Sequence, residues 1–126
     1  MMEIQFTGRE LDIMRVLWDR GPSTVAEVRE SLEDDLAHTT VLTMLKVMEG
    51  KGFVSRRADG RAHRYAAEIE RVAAGESALG RLTERLFGGS PEELFMHLVD
   101  SGLSEAELRR MRDLLDERLD ERKADR

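Results

Sequence analysis

A chain of 126 residues with 26 acidic and 20 basic side chains, formally −6, has room for one domain or two small subdomains sharing a core. Its 37% charged and 5% aromatic content favours helices over a β-sandwich, and zero cysteines exclude disulfides and thiolate metal sites, as suits a reducing cytoplasm. No apolar run approaches the roughly 18–20 residues that cross a bilayer, and the first residues lack a signal peptide's charged start and apolar core, so no membrane insertion and a cytoplasmic location are expected.

Residues 1–6 read as a short lead-in that frays. Thr7-Gly8-Arg9-Glu10 has the form of a capping box, the threonine accepting from the third helical amide and the glutamate reaching back. The helix it opens is predicted to run to about Arg20 with Leu11, Met14, Leu17 and Trp18 inward, and Gly21-Pro22 stops it. Trp18 continues this stripe and reads as a core anchor. Thr24-Val25-Ala26-Glu27 is a second capping box, opening a short helix to about Leu32 with Val25, Val28 and Leu32 inward. An acidic connector then leads to a third helix, capped by Thr39 or Thr40 and ended by Gly52.

In this third helix Val41, Met44, Leu45 and Met48 recur at helical spacing and form one buried stripe. The opposite face carries Thr39, Thr40, Thr43, Lys46 and Val47. Short hydroxyls and a lysine on a helix docked by its other face suit a major-groove reader, since threonine can bond phosphates or base edges and its methyl can touch that of thymine. Three short helices with a turn before the third make a helix-turn-helix arrangement.

Periodicity then switches from helix to strand. Asp59-Gly60 is a two-residue hairpin signal of type I′. With Ala58 and Arg61 flanking that turn, Val54 is predicted opposite Tyr65, Ser55 opposite Arg64 and Arg56 opposite His63. A hairpin directly after a helix-turn-helix is a wing, whose Arg56, Arg57, Arg61 and Arg64 would reach phosphates or an adjacent minor groove.

From residue 68 to about 87 the pattern is helical again, with Val72, Leu79, Leu82 and Leu86 inward, and Gly88-Gly89 breaks it. Ser90-Pro91-Glu92-Glu93 is a third capping box, and its helix carries Leu94, Phe95, Leu98 and Val99. Ser104-Glu105-Ala106-Glu107 is a fourth, opening a helix with Leu108, Met111, Leu115 and Leu119 at heptad-like spacing. Residues 121–126 read as a charged, disordered tail. About 55 residues cannot build a secure separate core, so these stripes are expected to pair with a second copy of the chain, the alternative being that they fold back on the winged domain of their own chain. The expected fold is therefore mainly α with a small β-hairpin: a winged helix-turn-helix domain over residues 1–69 and a three-helix dimerisation region over 70–126. The predicted dimer contacts are Leu79, Leu82, Leu86, Leu94, Phe95, Leu98, Leu108, Met111, Leu115 and Leu119.

Charge is segregated along the chain. Residues 39–65 hold six basic and two acidic side chains, whereas both flanks are acidic. Such a patch binds a polyanion in one orientation and is repelled in others. Catalytic chemistry finds no support: His38, His63 and His97 are scattered, and no HExxH, CxxC, GxSxG, P-loop or GxGxxG spacing occurs. No enzyme activity, cofactor or metal is expected.

The runs ELDIMRVLW, STVAEV, TTVLTMLKVMEGKGFV and DGRAHRYA resemble the penicillinase-repressor family of bacterial transcription factors (BlaI/MecI type), and the resemblance extends over roughly residues 7 to 119. It implies a winged-helix homodimer that represses by occupying operators of dyad symmetry, with Thr40, Thr43 and wing residues such as Arg61 at the DNA. It also implies release by proteolysis at an Asn-Phe bond, linked to a membrane sensor metalloprotease. Three departures stand out. His97-Leu98 occupies the place of Asn-Phe, Val47 stands where many relatives carry arginine, and the clustered C-terminal cysteines of the copper-responsive branch are absent. Double-stranded DNA and a second copy of the chain are thus the expected partners. The alternative is a winged-helix protein-interaction module without sequence-specific DNA binding, and the segregated basic charge favours DNA.

Overall fold

In the computed structural model, which describes residues 4–126, α1 (Gly8–Arg20) opens as its capping box requires. Glu10 N–H donates to Thr7 Oγ1 (3.1 Å) and Thr7 N–H donates to Glu10 Oε1 (2.8 Å). The chain continues through β1 (Ser23–Thr24), α2 (Val25–Ser31), α3 (His38–Gly50), β2 (Val54–Asp59), β3 (Ala62–Ala67), α4 (Arg71–Phe87), α5 (Pro91–Val99) and α6 (Glu105–Ala124). Two units result, Met1–Gly80 and Arg81–Arg126. The expectation that the first residues fray lies outside the described residues at 1–3. At Phe6 it is overturned, because the ring packs edge-on against Trp18 (6.2 Å) and Phe53 (4.7 Å).

The first unit has the predicted winged helix-turn-helix order, three helices followed by a hairpin. Its core joins Ile13, Met14, Val16 and Leu17 of α1, Val25 and Val28 of α2, Val41, Leu45 and Met48 of α3, and Phe53, Val54 and Tyr65. Trp18 packs on this core while its indole donates to the Ile69 carbonyl (2.8 Å). Leu11, expected inward, faces solvent, since the buried stripe of α1 is centred on Glu10, Ile13, Met14 and Leu17. Burial of a glutamate at the head of that stripe is tolerable because Lys51 Nζ donates to Glu10 Oε2 at 2.8 Å. Leu45 is fully buried at the centre of α3's inner face. Leu45→Ala is expected to lower unfolding free energy by about 2–5 kcal/mol in urea titrations.

The hairpin differs from its predicted register. Val54 pairs with Ala67, Arg56 with Tyr65, Arg57 with Arg64 and Asp59 with Ala62, which moves the two-residue turn to Gly60-Arg61. Gly60 has φ +61°, and no non-glycine residue among those described has positive φ. Glycine therefore sits first in the turn, the pattern of type II′ rather than the expected I′. The pairing shift is two residues, so each side chain keeps its predicted face. The sheet also gains an unforeseen strand: Ser23 pairs with Tyr65 and Thr24 with Arg64, giving the order β1-β3-β2 with β3 in the middle.

In the second unit Ser90 caps α5 by accepting from Glu93 N–H (3.2 Å), the forward half of the predicted box, and Ser104 and Glu107 complete theirs in both directions. No residue of 81–126 is buried in the single chain. The stripe expected inward on α4 lies exposed, with Val72 at 71% and Leu86 at 69%. α4 begins at Arg71 rather than 68, and α6 continues to Ala124, so most of the expected tail is helical. Its Glu, Arg, Lys and Ala content, with Arg118 paired to Glu121, sustains a helix without burial. Among the described residues no helix is long and apolar enough to cross a membrane, and no group of three or more His, Cys, Asp or Glu is placed to hold a metal ion.

Candidate nucleic-acid interface

Thr39, Thr40, Thr43, Lys46 and Val47 all lie exposed on α3, opposite the face made by Val41, Leu45 and Met48. The helix starts earlier than predicted. Ala37 is its N-cap and no side chain caps the first turn, so Thr39 and Thr40 are helical residues rather than caps. Their hydroxyls are not needed to satisfy the helix end, and the uncapped first-turn amides carry the partial positive charge of a helix N-terminus. Thr43 Oγ1 instead donates to Thr39 O (2.9 Å), which orients its methyl and leaves the oxygen lone pairs to accept. Val47 is 51% exposed, an apolar spot on an otherwise polar face. At the far end Phe53 N–H bonds Met48 O (3.0 Å) and Gly52 N–H bonds Glu49 O (3.0 Å). With Gly52 at φ +81°, this Schellman closure turns the chain straight from α3 into the wing.

The four wing arginines fall into two classes. Arg57 and Arg61 are exposed, and neither has an ion pair among the described residues; the same holds for Lys46 on α3. Arg56 is loosely paired with Glu49 of α3 (3.8 Å). Arg64 is held on two sides: its Nε donates to Asp59 Oδ2 (2.6 Å), and one terminal nitrogen donates to Glu27 Oε1 (2.7 Å) and Pro22 O (3.3 Å). Arg57 and Arg64 are direct cross-strand partners, an arrangement of like charges that would repel without those carboxylates. Both carboxylates favour the charged guanidinium and raise its pKa, Asp59 most of all.

Glu27 is the junction of this network. Its Oε1 accepts from Thr24 N–H (3.0 Å) as well as from Arg64, while Oε2 accepts from Arg20 (2.8 Å). The Thr24 backbone amide, then the Thr24 hydroxyl and the charges of Arg64 and Arg20, outweigh desolvation and pull its pKa down to about 2. Glu10 behaves similarly at the head of α1: burial pushes its carboxyl up, but Lys51 and the Thr7 amide more than compensate and hold it low. A carboxyl depressed in the fold stabilises above its unfolded pKa and loses that effect as pH falls through its folded one. The denaturation midpoint of Glu27→Gln should therefore lie below wild type at neutral pH, and the gap should close as pH falls toward about 2.

The residues expected at a dimer contact divide among α4 (Leu79, Leu82, Leu86), α5 (Leu94, Phe95, Leu98) and α6 (Leu108, Met111, Leu115, Leu119). All are exposed except Leu94 and Met111, which are half-buried. Met96 and Leu114 are further exposed apolar side chains on α5 and α6 that were not anticipated. His97 stacks on Phe87 with ring centroids 5.0 Å apart. Sequence reasoning identified Glu10 and Glu27 as capping residues only. The T-x-x-E spacing reveals the cap but not the distant cations, Lys51 for Glu10 and Arg64 with Arg20 for Glu27.

A family model described as penicillinase repressor matches residues 6–117. The chain is 37% identical over 106 residues to transcriptional regulator BlaI of Mycobacterium tuberculosis, covering 78% of this chain and 75% of that protein. An uncharacterized protein of Latilactobacillus sakei is 26% identical over 114 residues, 88% of this chain and 78% of its own length. Among solved structures, transcriptional regulator Tm0710 from Thermotoga maritima is similar with a TM-score of 0.50 and 25% identity, over 95% of this chain and 78% of that one.

Proposed function

The chain belongs to the penicillinase repressor family and is a transcriptional regulator rather than an enzyme, and from that premise we propose that it represses transcription as a cytoplasmic homodimer bound to a dyad-symmetric operator. α3 enters the major groove through Thr39, Thr40, Thr43, Lys46 and Val47, and the wing meets the flanking backbone through Arg57 and Arg61, with Arg56 and Arg64 beside them. Residues 1–69 do the reading and residues 70–126 do the pairing. One observation carries this proposal: in a chain of net charge −6, the cations Lys46, Arg57 and Arg61 stand without carboxylate partners among the described residues, on the helix and hairpin that would form the reading surface. Cations left unneutralised on an acidic protein are available to phosphate.

The test is binding to the chain's own upstream DNA beside a scrambled duplex of equal length, across a salt series. Tight, salt-sensitive binding that prefers the upstream sequence by about 10³-fold or more is expected. Equal and weak binding to both duplexes would instead favour a protein-interaction module. Thr43→Val, which removes the hydroxyl but keeps the shape, is expected to change the order of preference among operator variants by about 1–3 kcal/mol at one base pair. A competition assay with singly substituted operators measures this, and an unchanged preference would remove Thr43 from the groove.

Release by a membrane sensor metalloprotease belongs to the same proposal. Its site would be His97-Leu98 on α5, both exposed. Co-expression with such a sensor, followed by sizing of the repressor, tests whether this bond is cut.

A further inference from the structure

We propose that Glu27 is a positioning residue for DNA binding: through Arg64 it locks the wing to the start of α2, so that Arg57 and Arg61, and not Arg64, carry the wing's phosphate contacts. Glu27 binds three groups with two oxygens and thereby joins three elements. It closes the cap of α2 at Thr24, holds Arg20 at the end of α1, and grips Arg64 in the middle strand of the sheet. β1 and the buried Val54 and Tyr65 hold the base of the hairpin, but the tip beyond Arg64 has no third strand beside it, so its direction depends on a side-chain anchor where it leaves the sheet. Arg64 is that anchor: it reaches Glu27 and the Pro22 carbonyl, both distant in sequence, as well as Asp59 at the wing's tip. Two of its three nitrogens, Nε and one terminal nitrogen, are thereby engaged by protein acceptors. Arg57, directly across the strand pair, is exposed and has no ion pair among the described residues. The carboxylates thus convert two like-charged neighbours into one anchor and one contact.

The assignment rests on the DNA binding proposed above, and it makes a prediction of sign. Glu27→Gln removes a negative charge beside the wing, which by electrostatics alone would strengthen DNA binding. A glutamine at the third helical position still serves a capping box, so α2 keeps its start while Arg64 loses its ion pair. If Glu27 positions the wing, E27Q weakens operator binding by about tenfold despite the charge gain. R64Q weakens it to a similar degree, and the double variant adds little, as expected for two members of one network. The salt slope separates anchor from contact. It stays unchanged in R64Q, whereas loss of a phosphate contact would lower it by about 1.

Hydrogen exchange of the hairpin amides without DNA supplies a readout independent of binding. Residues of β2 and β3 should exchange faster in both single variants while the amides of α3 remain protected. Tighter binding by E27Q, a shallower salt slope in R64Q, or unchanged hairpin exchange would each overturn the assignment. Wild-type protein that fails to distinguish operator from scrambled DNA would overturn the DNA-binding proposal instead, and the exchange experiment would still decide whether Glu27 anchors the wing. Thermal melts of each variant report its fold.

Discussion

Replacing Arg57 and Arg61 together with alanine is expected to weaken binding to operator and scrambled DNA alike, by about tenfold for each arginine, or ~1.4 kcal/mol per tenfold. The log–log dependence on salt should become shallower by about 2, close to 1 for each phosphate no longer neutralised. Both side chains are exposed, one on a wing strand and one in its turn, and neither has a carboxylate partner among the described residues. Their removal should cost little folding stability, because both side chains are exposed and give up no ion pair among the described residues. Arg15, an exposed arginine of α1, is the control: Arg15→Ala should leave the slope unchanged. Fluorescence anisotropy with matched operator and scrambled duplexes from low to moderate salt measures all three quantities. Loss of preference with an unchanged slope would show that these arginines read bases rather than phosphates.

The second large effect concerns assembly. Residues 81–126 contain three helical stretches and not one buried side chain in the single chain, while Leu86, Phe95, Met96, Leu98, Leu115 and Leu119 stand exposed. Exposed apolar surface of this extent is expected to serve as an interaction face. A two-fold pairing would bury the same stripes on both copies. Leu115→Glu combined with Leu119→Glu places like charges on the exposed stripe of α6 and should yield a monomer by sedimentation. Operator affinity should then fall by roughly 10²–10⁴-fold, because a second reading head no longer benefits from effective concentration. Affinity for a half-site should be nearly unaffected. A variant that stays dimeric, or a monomer that binds the full operator as tightly as wild type, would move the dimer contact elsewhere.

The helices and their starts were legible because they depend on near neighbours. T-x-x-E and S-x-x-E spacings, glycine stops and stripes of three and four residues are all written within one or two turns, and α1, α2, α5 and α6 begin where their boxes place them, while α3, which has no box, begins two or three residues early. Where the local text was weakest, the reading slipped. Asp59-Gly60 and Gly60-Arg61 are both acceptable turns, and only the assembled sheet, with Tyr65 set against β1 on one side and β2 on the other, selects the second. The two-residue β1 has no periodicity to detect. Leu11 and Ile13 both suit a helical stripe, and packing chose Ile13.

The candidate site divides in the same way. The residue types on α3, the concentration of basic charge between 39 and 65, and the resemblance to a repressor family were all present in the sequence alone. Which of those charges remain free was not. Arg64 meets Glu27 across 37 positions and Lys51 meets Glu10 across 41. Caps and periodicity are contacts between residues three or four apart, so composition and spacing determine them. Ion pairs at such separations exist only after the core has packed, and that packing alone decides which cations are engaged within the protein and which are left exposed.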